Sequence, residues 1–289
     1  MKKLLVSLTM LAALGMNAAA YFDGNITGTT GPGGYKGTKL DLTIGSGKLD
    51  IQPSMASYAS DKTAFGGDTY RTYALRAAWE AEKYTIAGLA GATPVVNNYS
   101  NKFFGGDLTL TLTPGGGGHS RLVGPGSRPG SGGGEGVSRI DIGAAFKYTQ
   151  HTQAQLVGAD KKTDQTEGSL FAGAKILMVN LSASYTAYKY GAKDATLLIN
   201  PIPGQGFAYN AMPNSSVNVK LDLPAQTLLT PFISYTSTKY EGTVKDSHAY
   251  LVGAYIDLNM ITANVGYQIF NDGNTNTSYI TLGAGVKFE

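Results

Sequence analysis

The sequence has no cysteine, three histidines, one tryptophan and few charged residues. The absence of cysteine excludes disulfides, thiolate metal sites and cysteine catalysis. Charged residues make up 15% of the chain, whereas an ordinary soluble domain carries about a quarter. After residue 20, no stretch reaches the ~18 consecutive apolar residues of a membrane-spanning helix. The chain is rich instead in glycine (39) and tyrosine (18), and its 42% hydrophobic content argues against disorder.

The first twenty residues, MKKLLVSLTMLAALGMNAAA, are typical of a secretory signal peptide. Lys2 and Lys3 supply the positive start, an apolar run follows, and Ala18 to Ala20 supply small residues for cleavage. Without residues 1–20, Lys+Arg falls from 23 to 21 against 20 Asp+Glu, so the formal charge falls from +3 to +1. This near balance gives no reason to expect a nucleic-acid partner.

Apolar and polar residues alternate with a period of two along most of the remaining chain, as in strands with two different faces. Near the C-terminus, for example, Ile261, Ala263 and Val265 alternate with Thr262 and Asn264. The pattern predicts an all-β chain of fourteen strands, with twelve as the alternative if a strand beside the glycine-rich segment is miscounted. The predicted strands are 21–29, 38–45, 47–58, 69–79, 84–91, 103–113, 138–149, 168–177, 179–190, 215–223, 228–239, 248–258, 260–270 and 278–289.

Two architectures fit many alternating strands, a soluble β-sandwich and a transmembrane β-barrel. Strands that recur about every nineteen residues, each near the length that crosses a bilayer at a tilt, favour the barrel. Short connections also alternate with long polar ones, predicted at 30–37, 59–68, 92–102, 150–167, 191–214, 240–247 and 271–277. Seven tyrosines at strand ends beside these loops suggest an aromatic girdle: Tyr58, Tyr70, Tyr148, Tyr190, Tyr240, Tyr250 and Tyr279.

In this pattern the chain resembles the bacterial outer-membrane β-barrel proteins over essentially all of residues 21–289. The final strand, YITLGAGVKFE, is similar to the C-terminal insertion signal of that class, with Phe288 in the penultimate position. The resemblance implies an up-and-down antiparallel barrel with periplasmic termini, located in the outer membrane and surrounded by its lipids. It also implies that the barrel-insertion machinery recognises the C-terminal strand.

A charged tetrapeptide recurs five times, as KLDL at 39–42, KLDI at 48–51, RIDI at 139–142, KLDL at 220–223 and YIDL at 255–258. In a barrel, its aliphatic residues face lipid and its charges face inward, because charge on the lipid face costs up to ~2–4 kcal/mol. With periplasmic termini, all five copies are predicted at the periplasmic end. The predicted pore-lining band comprises Lys39, Asp41, Lys48, Asp50, Arg139, Asp141, Lys220, Asp222 and Asp257. Such a band either biases which solutes pass or forms ion pairs between neighbouring strands that stiffen the wall.

The segment at 114–137 is the most glycine-rich part of the chain. It lacks the GK[ST] ending and the strand–loop–helix context of a phosphate-binding loop. We therefore predict a flexible connection. Arg121 and Arg128 either contact cell-wall polymer, or the segment folds back and partly plugs the lumen.

Catalytic and metal-binding signals are weak. His119 lies in the glycine-rich segment and His151 in a polar stretch, while Asp246-Ser247-His248 are adjacent residues whose side chains point apart on a strand. We expect no enzymatic activity, no catalytic residues, no metal site and no cofactor. The inward positions are mostly small or neutral, which predicts a water-filled pore for passive diffusion of small hydrophilic solutes or ions. The alternative is a non-conducting barrel that displays surface loops for adhesion or a structural role.

Overall fold

The computed structural model describes residues 20–61, 67–112, 121–127, 139–201, 208–223 and 228–288. The predicted signal peptide therefore lies outside the described residues, except for Ala20, as do the two ends of the glycine-rich segment. Within the described residues the chain forms sixteen strands, and fourteen of them close into one antiparallel barrel. The predicted all-β barrel of fourteen strands is confirmed, and the twelve-strand alternative is wrong.

Barrel strands that follow one another in the chain pair with each other, including the two that flank a separate hairpin, and the first and last strands pair to close the barrel. The first nine strands are β1 (Ala20–Gly31), β2 (Tyr35–Ser46), β3 (Leu49–Ala59), β4 (Tyr70–Glu80), β5 (Tyr84–Val96), β6 (Tyr99–Thr111), β7 (Arg139–Gln153), β8 (Lys161–Ile176) and β9 (Val179–Lys193). A separate two-stranded hairpin comprises β10 (Ile199–Pro201) and β11 (Ala208–Asn210). The remaining strands are β12 (Pro213–Asp222), β13 (Leu229–Tyr240), β14 (Ser247–Leu258), β15 (Ile261–Asn271) and β16 (Asn276–Phe288).

The alternation of side chains gives the barrel an apolar outer face and a polar inner face. On β4, for example, Leu75 and Trp79 are exposed on the outside, whereas Arg76 and Glu80 are buried inside. Exposed large apolar side chains recur in this way on the other barrel strands. A closed barrel with this outer surface suits a lipid environment, since every strand edge is paired.

The described residues include no helix that is long and apolar enough to cross a membrane.

The two ends of the barrel differ in their connections. We call the end at which β1 begins and β16 ends the terminal end, and the opposite end the loop end. At the loop end, the predicted connection at 92–102 is wrong: β5 and β6 continue until only Asn97 and Asn98 join them. Both asparagines have positive φ, 51° and 62°, as in the type I′ turn that suits the twist of a hairpin. The connections 32–34, 154–160 and 272–275 are likewise shorter than predicted.

Two segments fold into the barrel. Residues 121–127, from the long β6–β7 connection, lie inside with Arg121 and Val123 buried. At the loop end, residues 194–201 and 208–212 carry the β10–β11 hairpin inward, and Leu198, Ile199 and Ala208 are buried. The inward folding that was one of the two possibilities for the glycine-rich segment is thus confirmed for residues 121–127, whereas Arg128 lies outside the described residues.

The tyrosines expected to form the girdle divide between the two faces. Five of the seven face inward, namely Tyr58, Tyr70, Tyr190, Tyr240 and Tyr279, and only Tyr148 and Tyr250 face outward. Position at a strand end does not decide the face of a residue; its parity within the strand does. The outward aromatic row near the loop end consists of Tyr73, Phe104, Tyr148, Tyr185, Tyr235, Tyr250 and Tyr267.

Candidate functional site: the barrel interior

The structure places the predicted charged band at two heights. Strand parity puts Asp50, Arg139, Asp141, Lys220, Asp222 and Asp257 on the inner face near the terminal end. Lys39 and Asp41 also face inward, but they lie near the middle of β2, because this strand begins at Tyr35 rather than at residue 38. Lys48 lies in the β2–β3 turn and is exposed. The prediction that all five tetrapeptides lie at one mouth is therefore wrong for the first copy.

Charges in four of the five tetrapeptides form ion pairs, three of them along a strand and one across strands. Lys39 Nζ lies 2.8 Å from Asp41 Oδ2, and Lys220 Nζ lies 2.9 Å from Asp222 Oδ2. Arg139 Nε lies 3.0 Å from Asp141 Oδ2. Residues i and i+2 share one face at about 7 Å, within reach of a long cationic side chain. The fourth pair crosses strands, since Lys287 of β16 contacts Asp257 of β14 at 2.6 Å.

A second set of charged residues fills one half of the interior, along β3 to β8. Arg76 donates from Nε and Nη2 to the two carboxylate oxygens of Asp107, at 2.8 and 2.7 Å, and from Nη1 to Gln52 at 2.8 Å. Glu80 accepts from Arg121 of the inserted segment at 3.2 Å. The sequence analysis did not single out these residues of β4 and β6, although the strand parity that places Leu75 outside also places Arg76 and Glu80 inside.

The inserted segment 121–127 packs against this charged wall. The Leu122 amide donates to Asp141 Oδ2 at 2.8 Å, so this carboxylate binds both its own strand and the insert. Burial lowers the pKa of the Arg121 guanidinium, and the nearby Glu80 carboxylate opposes that shift. A Cβ atom at Gly173 would lie 3.0 Å from Leu122 Cβ and 3.2 Å from Val123 Cβ. Glycine at residue 173 therefore permits the close approach of the insert to β8.

The other half of the interior, along β14 to β2, is open. The side chains of Lys39 and Asp41 are 60% and 44% exposed although they face the lumen. Their inward neighbours are small or uncharged, including Asn25, Thr27, Asn264, Thr281, Gly283 and Gly285. This half of the lumen therefore contains space that solvent can reach.

The hairpin β10–β11 crosses the interior at the loop end. On one side, Gln165 of β8 donates to Asn200 Oδ1 at 3.1 Å. On the opposite side, the Ala208 amide donates to Tyr35 Oη of β2 at 3.3 Å. Between them, the Ile199 amide contacts Tyr99 Oη at 3.4 Å. Because β2 and β8 lie on nearly opposite walls of the barrel, the hairpin restricts the width of this mouth.

Phe103, Phe171 and Tyr255 face inward by strand parity. Tyr255 stacks on Phe232 with ring centroids 4.5 Å apart. Lys220 Nζ lies 5.1 Å from the Tyr255 centroid and 5.4 Å from that of Phe232. These cation–π contacts and the Asp222 ion pair hold Lys220 against the wall.

The histidines of the described residues occupy structural positions. His151 is buried, with Nδ1 2.8 Å from Tyr99 Oη and Nε2 3.0 Å from Gln165 Oε1. His248 faces outward and contacts Tyr235 at 2.9 Å, whereas Ser247 faces inward and contacts Tyr240 at 2.8 Å. His119 lies outside the described residues. No group of three or more His, Asp or Glu suited to a metal ion occurs in the part of the chain that the structure describes.

Comparison with known proteins gives structural likeness without sequence likeness. No protein-family model matches the chain, and no curated protein matches it. The solved structure of CdiB from Acinetobacter baumannii superposes with a TM-score of 0.50 at 8% identity, over 93% of this chain and 60% of that one. The CymD monoaromatic hydrocarbon channel gives a TM-score of 0.50 at 10% identity, over 95% of this chain and 90% of that one.

The chain has the fold of the bacterial outer-membrane β-barrels. It spans 60% of the length of CdiB. A further solved structure, the toluene transporter TbuX of Ralstonia pickettii, has a TM-score of 0.46 at 9% identity, over 95% of this chain and 90% of that one. The predicted resemblance to this class, without a named family, is confirmed.

Proposed function

We propose that this protein is an outer-membrane channel through which small hydrophilic solutes diffuse along the open half of the lumen. The observation that carries the proposal is the exposure of Lys39 and Asp41, which face inward at mid-height and yet remain 60% and 44% accessible. Small side chains on the facing strands leave this space unfilled. The inserted segment 121–127 and the β10–β11 hairpin make the passage narrow.

The pairing of the wall charges supports weak charge selectivity. Lys39, Lys220 and Lys287 each have a carboxylate partner within 2.9 Å. A paired cation and anion cancel much of each other's field, whereas selective filters present charges of one sign. We therefore propose small uncharged or zwitterionic solutes as the main cargo, with salt ions of either sign passing as well.

A barrel that does not conduct is the second candidate, because the hairpin crosses the loop-end mouth and the insert fills half of the lumen. A role in adhesion through long surface loops has less support from the structure than from the sequence. The connection 97–98 is a two-residue turn, and residues 194–201 and 208–212 fold inward rather than outward.

Single-channel recording in planar bilayers tests the proposal, with reversal potentials measured under a salt gradient. We expect small, steady steps and a reversal potential close to zero. Swelling of liposomes in neutral sugars of increasing size measures the width of the passage. Absence of both conductance and swelling, in bilayers where insertion is verified by protease protection, would favour the non-conducting barrel.

A further inference from the structure

Six cationic side chains on the outward face of the barrel lie near its loop end. We call them the basic belt: Lys36, Arg71, Lys102, Lys162, Lys189 and Lys239. All six are exposed, and each lies within five residues of the loop end of its strand. Strand parity fixes their direction. Arg71, for example, shares its face of β4 with Tyr73 and Leu75, which are exposed on the outside.

The belt surrounds most of the barrel and has little negative charge beside it. Its members lie on β2, β4, β6, β8, β9 and β13. Within the described strands, the one acidic side chain with the same outward parity is Asp164, which accepts a hydrogen bond from Gln150 at 3.3 Å. From the belt to the terminal end, Asp164 is the one charged side chain at an outward position of these described strands.

The belt cations differ from the cations inside the barrel in their lack of protein partners. Inside, Lys39, Arg76 and Lys220 have carboxylates at 2.7–2.9 Å. Within the described residues, no side chain of the belt forms an ion pair or hydrogen bond. The charge on the belt is therefore available to a group outside the protein.

The physical chemistry of the bilayer places the belt at headgroup level. A cation on the lipid face costs about 2–4 kcal/mol at the bilayer midplane and only about 0–1 kcal/mol near the interface. Long cationic side chains extend from that level towards polar headgroups. Aromatic rings lie on the same face two to four residues deeper, at Tyr73, Phe104, Tyr185 and Tyr235, as expected just inside an interface.

We propose that the basic belt binds the phosphate groups of the membrane lipids that surround the loop end. Phosphate suits this surface because it forms charge-assisted hydrogen bonds with lysine and arginine. Several cations around the barrel favour lipids that carry more than one phosphate over zwitterionic lipids. The proposal depends on the outer surface alone, so it holds whether or not the lumen conducts.

Native mass spectrometry of the purified protein, released from micelles with defined lipids, tests the proposal. The lipids are diphosphoryl lipid A, the same lipid after phosphatase treatment, and phosphatidylcholine. The belt variant carries Lys36→Gln, Lys102→Gln and Lys189→Gln. The matched control carries Lys48→Gln, Lys83→Gln and Lys161→Gln, which removes three exposed lysines that lie off the outward face. A third variant, with arginine at the three belt positions, keeps the charge.

We expect the wild type, the control and the arginine variant to bind diphosphoryl lipid A alike. We expect the belt variant to bind it about a hundredfold more weakly, since each of the three removed residues contributes about fivefold near an anionic surface. Phosphatase-treated lipid should bind every variant weakly, and added salt should narrow the differences. Equal binding by the belt variant and the wild type, or an equal loss in the control, would overturn the proposal. The heat-dependent gel mobility of each variant verifies that the barrel is folded.

Discussion

Arg76 and Asp107 form a two-point ion pair across the inside of the barrel, from β4 to β6 over the intervening β5. Both nitrogen–oxygen distances are below 2.9 Å, and both side chains are almost completely buried. The residue of β5 opposite Asp107 is Ala87, whose small side chain leaves room for the pair. The pair therefore links three strands on the filled side of the lumen.

Loss of the Asp107 carboxylate should destabilise the barrel strongly. Asp107→Ala leaves a buried guanidinium without its partner, which typically costs about 3–5 kcal/mol. Urea unfolding in lipid vesicles measures this change. Asp41→Ala is the matched control, because its ion pair with Lys39 is exposed to solvent and should contribute less than about 1 kcal/mol. Equal losses in the two variants would show that burial does not distinguish the pairs.

An engineered disulfide should cross-link the inserted segment 121–127 to β8. The chain has no cysteine, so Val123→Cys with Gly173→Cys introduces a single pair of thiols. The Cβ positions lie about 3.2 Å apart, close to the ~3.5–4.5 Å of a disulfide. We expect oxidation to produce a faster-migrating band on a non-reducing gel, without loss of the folded barrel. Val123→Cys with Gly168→Cys, also on β8 but facing outward, should not cross-link.

Removal of the inserted segment 121–127 should change both the width and the ion selectivity of the proposed channel. Arg121 is a cation bound to Glu80, so its loss removes one positive charge beside this carboxylate in the lumen. Replacement of residues 121–127 by glycine and serine should therefore enlarge the conductance steps and shift the reversal potential towards cations. Arg121→Gln alone should shift the reversal potential with little change in conductance. An unchanged reversal potential in both variants would contradict the assigned role of Arg121.

The fold was predictable because its main signal is local. Apolar and polar residues alternate along each strand, and this pattern can be recognised without knowledge of the rest of the chain. It predicts both the fourteen strands and the inward orientation of the charged residues in the tetrapeptides. The loops were predicted too long because polar residues at the strand ends, such as Thr93 and Thr163, face the interior and carry no apolar signal. Asn97-Asn98 has the turn chemistry of a tight hairpin, which the sequence analysis did not use.

The filled half of the lumen was less predictable because it depends on contacts between distant parts of the chain. Leu122 and Asp141 are separated by a glycine-rich stretch whose composition indicates a flexible connection, yet the Leu122 amide donates to that carboxylate. The hairpin at the loop end likewise depends on Tyr35 and Gln165, which lie far from it in sequence. Strand parity places such side chains inside, but it does not show which loop they bind.

The ion pair between Lys39 and Asp41, which faces the lumen at mid-height, offers a direct test of the charge selectivity of the proposed channel. Lys39→Gln removes the cation beside Asp41 and should shift the reversal potential towards cation selectivity in a salt gradient. Asp41→Asn should shift it in the opposite direction. The double variant, with neither charge, should resemble the wild type, because the intact pair contributes little net field. A double variant as selective as either single variant would show that the pair does not line the conducting path.

The last prediction concerns Tyr99, which connects the loop-end hairpin to the barrel wall. Its hydroxyl lies within 2.9 Å of His151 Nδ1 and Asn101 Nδ2 and within 3.4 Å of the Ile199 amide. Tyr99→Phe keeps the packing of the ring but removes the hydroxyl, so buried polar groups lose their partner at about 1–3 kcal/mol. Hydrogen exchange at the amides of residues 198–200 should therefore accelerate by about tenfold or more if the hairpin opens locally. Tyr250→Phe, on the outward face, is the control and should leave these amides unchanged. Faster exchange in both variants would indicate a general loss of stability, whereas faster exchange in Tyr99→Phe alone would show that this hydroxyl holds the hairpin across the mouth.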